Sequence, residues 1–265
     1  MTLRPNQLRA FFWQGRALLT TGLALFSGRA SDNRLHRHYA VQLALSESGK
    51  VRLTDADGRQ HVGGFVGCAA GTMHRIEATE DEIVLVYLEP TSTLGAAVQT
   101  KLDSISIIDS QPQPALVRAL RQAIADAAPV AAANLLHPIF CGGKLASEHR
   151  LDLRLAVLID SAAFHAVPPS LVQAAQQIAV SPSRFSHLFS AEMGIAYRAF
   201  RKWRKLLATL ESVANGAKLT AAAHDGGFAD SAHFSRTFKD TFGLTPAEAL
   251  FRVKLSPPLP NVEAR

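Results

Sequence analysis

Between Ser170 and Ala249 one pattern is written twice, and no other feature constrains the fold of this chain as tightly. In the second copy, Leu219–Ala249 (LTAAAHDGGFADSAHFSRTFKDTFGLTPAEA), two short helices flank a tight turn. Thr220 is placed to N-cap the first helix, and Ala221, Ala222 and Ala223 favour it. Gly226-Gly227 breaks it and offers the positive φ that a tight turn needs. Asp230 is placed to cap the second helix, which runs to about Phe242, and Gly243 ends it. Phe234 and Phe238, with Thr241 or Phe242, form an apolar face at helical spacing, so Ser231, Ala232, Ser235, Arg236 and Lys239 point the other way. A shift of 49 residues lays Phe185 on Phe234, Ser186 on Ser235, His187 on Arg236, Phe189 on Phe238 and Gly194 on Gly243. It also lays Ala174 on Ala223 and Ser181 on Asp230, with Ser170 as the cap that opens the earlier copy. Repetition at a fixed spacing predicts a duplicated structural unit. A helix braced on one side, with small polar and basic residues on the other, suits entry into a DNA major groove.

The second copy reads GF-x-D-x-x-HFSR-x-FK-x-x-FG-x-TP through Gly227-Phe228, Asp230, His233-Phe234-Ser235-Arg236, Phe238-Lys239, Phe242-Gly243 and Thr245-Pro246. This motif, with SPSRFSHLF at Ser181–Phe189, resembles the AraC/XylS family of bacterial transcription regulators over roughly residues 150–253. One departure is Ala249-Leu250-Phe251-Arg252, where the family carries an aromatic-Arg pair directly after the TP segment; it bears on local packing. The resemblance implies DNA contacts from Ser183, Arg184, Ser186 and His187 in the first unit. In the second it implies Ser231, Ala232, Ser235 and Arg236, with His233 close by. The fork of Arg236 can take guanine O6 and N7 together, or bind phosphate, and Arg184 has the same two options. His187 stands where Arg236 does, with shorter reach, and is structural or water-linked. Lys239, Arg201 and Lys205 are expected on phosphates. Phe185, Phe189, Phe234 and Phe238 are expected in the core.

Charge agrees in its distribution. The net charge is +6 over 265 residues. Residues 150–254 hold 13 Lys and Arg against 8 Asp and Glu, so most of the excess falls on the segment expected to neutralise phosphate. Cys68 and Cys141 are the two cysteines, too few and too distant for a disulfide framework or a zinc finger, and a reducing cytoplasm is expected. No run approaches the ~20 apolar residues of a membrane span. Ala17–Phe26 has the composition of a signal-peptide core, but it is short, holds Gly22 and two threonines, and follows widely spaced arginines, which argues against one.

From Ala10 to Glu89 short β-rich segments alternate with turns, with Asp57-Gly58 marking a hairpin. This predicts a small antiparallel barrel or jelly roll. His36, His38, Gln42 and Gly49 are similar to the first cupin motif, HxH-x3-E-x6-G, with Gln in place of Glu. Gly63, Gly71 and His74 are similar to the second, with Ala69 where Pro is usual. His36, His38 and His74 stand at the metal-ligand positions of a catalytic cupin, where three imidazoles could hold Zn²⁺ or Fe²⁺. Strand alternation puts His36 and His38 on one face, directed inward. The missing carboxylate, and the metal-free cupin-like domains that regulators of this family carry, favour packing, hydrogen bonding or ligand contact for these histidines and Gln42. Neither a metal nor another cofactor is therefore expected. Arg37, Arg52 and Arg75 could meet an anion, though solvated surface is their default.

Gln111–Pro114 closes the β region, and Leu116, Leu120, Ile124 and Ala127 form a helical stripe that could pair subunits or pack on the barrel. Ala131–Phe140 suggests a further short helix interrupted at Pro138, and Cys141-Gly142-Gly143 a hinge. Leu151–Phe164 reads as a helix with Leu151, Leu155, Leu158 and Ile159 inward. Tyr197–Ala214 reads as a connecting helix with Phe200, Trp203, Leu207 and Leu210 inward and Arg201, Lys202, Arg204 and Lys205 clustered near its start. It would set two recognition helices in successive major-groove turns about 34 Å apart.

The expected fold class is α+β: an N-terminal antiparallel β-barrel of cupin-like or jelly-roll form, then an all-α domain with two helix-turn-helix motifs. The expected divisions are a sensor or dimerisation domain at 1–112, a helical linker at 113–147, the DNA-binding domain at 148–254 and a flexible tail at 255–265. The expected function is that of a non-enzymatic, sequence-specific transcription regulator, with promoter DNA, a small-molecule effector, RNA polymerase if it activates, and a second copy of the chain as partners. A metal-dependent cupin enzyme with a helical appendage is the alternative.

Overall fold

The computed structural model describes residues 13–20, 22–78, 81–142, 152–161 and 167–256. By contact density the chain divides into two compact units, residues 1–143 with 235–265, and residues 144–234.

The first unit is built on two sheets rather than a closed barrel. β1 (Gln14–Thr20), β2 (Leu23–Arg29), β3 (Val41–Ser46), β6 (Phe65–Cys68), β8 (Ile83–Leu88), β9 (Ile105–Asp109) and β10 (Arg252–Ser256) form a seven-stranded sheet in the order β10-β1-β2-β8-β3-β6-β9. A three-stranded sheet, β5-β4-β7, comes from β4 (Val51–Asp55), β5 (Gln60–Gly63) and β7 (His74–Ile76). Pairing is antiparallel except where β10 runs parallel to β1 at one edge. The expected hairpin at Asp57-Gly58 joins β4 to β5, with Gly58 at φ +80°. Ala17–Phe26, the segment of signal-like composition, contributes to β1 and β2, which pair with each other and are buried in the core.

β3 is buried at every position because both of its faces are covered. Leu43, Leu45, Val84 and Val86 share a core with α1 (Thr93–Gln99), α2 (Pro114–Ala125) and α3 (Pro129–Cys141), through Val98, Val117, Leu120, Ile124, Leu136 and Phe140. The stripe on α2 therefore packs on the sheet. Helix α3 is not interrupted at Pro138. Proline forfeits one backbone bond there, yet Leu136 and Phe140 are anchored in the core on either side of it. On the other face of β3, Gln42 stands between Cys68 of β6 and Tyr87 of β8 in one cross-strand row.

The second unit holds α4 (Leu153–Asp160), α5 (Leu171–Gln177), α6 (Pro182–Met193), α7 (Tyr197–Ala214) and α8 (Leu219–Asp225). α9 (Ser231–Phe242) begins in this unit and ends in the first, which also takes α10 (Pro246–Leu250). α4 is shorter than the expected Leu151–Phe164 helix; Asp152 caps it and Leu155 and Leu158 are buried, while 151 and 162–164 lie outside the described residues. The hinge residue Gly143 lies outside them too. Of the tail expected at 255–265, Leu255 and Ser256 pair with Ala17 and Leu18, and 257–265 lie outside the described residues.

Candidate DNA interface and the buried histidine cluster

Both helix-turn-helix units form, and their differences are local. In the first, Ser170 accepts from the Gln173 N–H and Gln173 answers with its side chain, a complete capping box on α5. In the second, Thr220 does not cap. Helix α8 begins one residue earlier, behind Lys218, whose side chain makes no cap bond. The turn differs as well: Gly226–Asp230 is one residue longer than Ile178–Ser181. The 49-residue shift therefore holds for α6 and α9, whereas buried Ala174 and Ala175 of α5 correspond to buried Ala222 and Ala223 of α8 at a shift of 48. The left-handed turn residue is Gly227 (φ +75°) in one unit and Ala179 (φ 55°) in the other. Ser181 caps α6 through the Arg184 N–H, and Asp230 caps α9 by accepting from the His233 N–H at 2.6 Å.

Phe185 and Phe189 are fully buried and turn their ring edges to Tyr197. Phe234 is fully buried in the second unit, against Phe228. Fixing these faces leaves Ser183, Arg184 and His187 exposed and Ser186 half-buried on α6. On α9, Ala232, His233 and Arg236 are exposed, with Ser231, Ser235 and Lys239 half-buried. The basic cluster on α7 is more divided than the sequence suggests. Arg204 is buried at 4% exposure. Arg201 donates from Nε to Pro168 O at 2.9 Å, just ahead of the first unit's opening cap. Lys205 donates to Gly227 O at the second unit's turn, lies 5.2 Å over the Phe228 ring, and has its pKa lowered by burial and then by Arg201. Both side chains brace the motifs, so any phosphate contact would compete with these bonds.

The structure gathers His36, His38 and His74, with one ring nitrogen of each within 4.8 Å of the others, all three residues buried. His36 and His74 bridge their segments through reciprocal backbone bonds of 2.9 Å. Each ring holds a backbone carbonyl through Nδ1: His36 to Arg34 O at 2.9 Å, His38 to Ala40 O at 2.8 Å and His74 to Thr72 O at 2.9 Å. Gln42 Oε1 lies 3.0 Å from His38 Nε2 and 3.2 Å from His74 Nε2. Burial, then the neighbouring imidazole of His38, lowers the His36 pKa from 6.5 to about 3, and burial lowers that of His74 well below 6.5. The His36 and His74 rings are therefore neutral near pH 7. Cys68, whose thiol burial pushes up to about 12, and Tyr87 border the cluster.

Sequence reasoning did not find what lies beside it. Asn33 donates from Nδ2 to Phe242 O at 3.0 Å, and the Arg34 N–H donates to Gly243 O at 2.9 Å. The Phe242 ring lies 6.4 Å from His38 and 6.2 Å from Tyr87. The C-terminal end of α9 is thus bonded to the segment that leads into His36. Nothing local in the sequence signals a contact across more than 200 positions. A cleft of about 880 Å³ lined by Arg16, Arg29, Arg118, Arg121 and Arg252 was also missed, although the alternation of Gln14 with Arg16 and of Ser27 with Arg29 marks an outward face. Arg121 there pairs with Glu47 and Glu82. Of the arginines considered for an anion, Arg52 and Arg75 pair with Glu77, and Arg37 is exposed.

Residues 174–251 match a family model described as a helix-turn-helix domain. The arabinose operon regulatory protein of Escherichia coli is 33% identical over 79 residues, 29% of this chain and 27% of that protein. The bifunctional transcriptional activator/DNA repair enzyme Ada of E. coli is 30% identical over 102 residues, 38% of this chain and 28% of that protein. The chain thus spans less than a third of the length of these curated relatives. ToxT from Vibrio cholerae O395 is similar in fold, with a TM-score of 0.55 at 11% identity, covering 88% of this chain and 98% of that one. A wild-type ToxT structure with unsaturated fatty acid bound has a TM-score of 0.53 at 11% identity, covering 88% of this chain and 96% of that one.

Proposed function

We propose that this chain, an AraC-family member by the helix-turn-helix domain it carries, is a sequence-specific DNA-binding transcription regulator controlled by an effector in its N-terminal β unit. The observation that carries the reading is the pair of recognition helices, α6 and α9, each braced by buried phenylalanines with a polar and basic face exposed. In this reading Arg236 and Arg184 reach base edges, with Ser183, Ser186, His187, Ser231, Ala232, His233 and Ser235 around them. Lys239, and more weakly Arg201 and Lys205, meet phosphates. Residues 148–254 act as the DNA-binding region and 1–112 as the sensor, with 113–147 between them. The chain acts in the cytoplasm, without turnover, as a homodimer that engages RNA polymerase if it activates. Among the described residues no helix is long and apolar enough to cross a membrane. ToxT has been seen with a fatty acid bound; here the effector acts by differing in affinity for two states of the protein.

The test is a titration of the full chain on the promoter region beside its own gene and on a scrambled duplex, at several salt concentrations. The reading expects tighter promoter binding at every salt, with both affinities falling as salt rises. Equal affinity and equal salt slope on the two duplexes would leave only phosphate binding and would sink the reading.

A further inference from the structure

We propose that the arginine-lined cleft between α2 and the β10-β1-β2 edge of the large sheet binds a phosphorylated small molecule of nucleotide size, and that this molecule is the effector. The effector role rests on the function proposed above; the binding site does not.

The sheet lays the charges out. Arg252, Gln14 and Arg29 form one cross-strand row over β10, β1 and β2, and Lys254, Arg16 and Ser27 form the row two residues along. Both rows hold alternate residues of the same strands, so their side chains share one face. Neighbouring strands lie about 4.8 Å apart, which sets Arg252 and Arg29 roughly 10 Å from each other with Arg16 diagonal to both. From the other side α2 presents Arg118 and Arg121, three positions apart on one helix face. These five arginines meet a single carboxylate in the cleft, Glu82, which is paired to Arg121. Outside the lining, Glu47 pairs with Arg118 and Arg121. Among the described residues Arg16 and Arg29 have no ion pair. Like charges gathered around a concave surface repel one another and focus the field into it, and a bound anion relieves the repulsion.

The shape selects the kind of anion. Guanidinium groups converge from sheet and helix, which suits the several oxygens of a phosphate better than the two of a carboxylate, since a single fork fills those. The volume of about 880 Å³ is far more than a phosphate group alone needs and falls in the range of small-molecule sites. Gln14, Ser27 and Gln122 offer polar groups to the rest of such a molecule. Gly15 and Gly28 pair between the two rows, where a Cβ would lie 2.1 Å from Ser27 O or 2.0 Å from Gln14 O. The strands thus approach too closely for any side chain, and the floor there is bare backbone. A concave site of this kind takes a small molecule rather than a duplex, whose phosphates lie on a convex surface.

Two elements carry occupancy onward. β10, which bears Arg252, follows α10 and, before it, α9. α2 is tied at the cleft by the pairs of Arg118 and Arg121 with Glu47 and Glu82. Exposed ion pairs contribute little, so a phosphate readily replaces these carboxylates.

The experiment is calorimetry on the full chain at low salt with pyrophosphate, glucose 6-phosphate and AMP as probes, beside glucose and citrate. At least one phosphate probe should bind at one per chain, glucose should not bind, and citrate should bind more weakly at equal ionic strength. Arg16→Gln and Arg29→Gln should each weaken that probe about tenfold with the circular dichroism kept. Arg37→Gln, at an exposed arginine outside the cleft, should leave it unchanged. No phosphate binding, tighter citrate binding, or binding that both cleft variants keep overturns the site. So does a loss of duplex affinity in both variants with no probe bound, which would make the cleft a DNA contact. If the variants do not fold, phenylglyoxal labelling of the wild type decides: the probe should shield Arg16 and Arg29 but not Arg37, and equal labelling overturns the site. The bound probe should change the ratio of promoter to scrambled affinity about tenfold, and an unchanged ratio overturns the effector role. If the promoter is preferred neither with nor without the probe, the regulator reading fails, while the cleft is still decided by calorimetry.

Discussion

Arg236 and Lys239 sit three residues apart on α9, and their different exposure predicts different work. Arg236 is exposed and its fork matches guanine, so Arg236→Ala should remove about 1–3 kcal/mol of the preference for promoter over scrambled DNA. Lys239→Ala should weaken both duplexes alike and lower the salt slope by about one; competitive titration of the two variants checks the split. A loss shared equally by both duplexes in Arg236→Ala would make it a phosphate contact. Acid stability is also decided by single residues. The unfolded chain takes protons on these histidines near pH 6.5, whereas folded His36 resists them down to about 3 and His74 is also held low. The unfolded state therefore binds more protons below pH 6.5, and the histidines' contribution is lost as pH falls from 6.5 toward 3. The melting temperature should drop between pH 7 and pH 5, and less so in His36→Phe.

The two helix-turn-helix units show how much an element reveals of itself before it folds. Phenylalanines four apart, a capping serine or aspartate and a closing glycine are local signals, and α6 and α9 were legible from them. Thr220 misled because the helix starts two residues before the point it would cap: Lys218 is the N-cap and Leu219 the first helical residue, so Thr220 already lies inside the first turn. Pro138 misled because its penalty is local while the anchoring of Leu136 and Phe140 is tertiary. The three histidines were legible as a set from their spacing. The hold of Asn33 and Arg34 on Phe242 and Gly243 was not, because it joins distant segments through backbone groups that every residue carries. Phe185→Ala and Phe234→Ala should each cost about 3–5 kcal/mol, since both rings are fully buried. Asp230→Ala should cost only ~1 kcal/mol by freeing the His233 N–H. Denaturant melts of the full chain should rank them in that order; comparable losses would mean that the cap supports more than one helix end.

For the whole molecule the consequence is that the β unit and the second recognition helix are not separable parts. Residues 235–265 belong with residues 1–143, α9 ends on the segment that leads to His36, and β10 completes an edge of the large sheet. A fragment beginning near residue 145 would leave Phe242, Gly243 and β10 without these partners. In that fragment, hydrogen exchange should be faster through the last turns of α9 than through α6; equal protection of the two helices would show that the β unit lends α9 nothing. The central claim, that two recognition helices read one promoter, is tested most directly by footprinting the full chain on the promoter beside its own gene, with methylation interference to mark major-groove guanines. Two protected major-groove segments are expected on one face of the duplex, about 10 base pairs apart, with the guanine interference of one of them lost in Arg236→Ala. A single protected segment, or two that both survive Arg236→Ala unchanged, would contradict it.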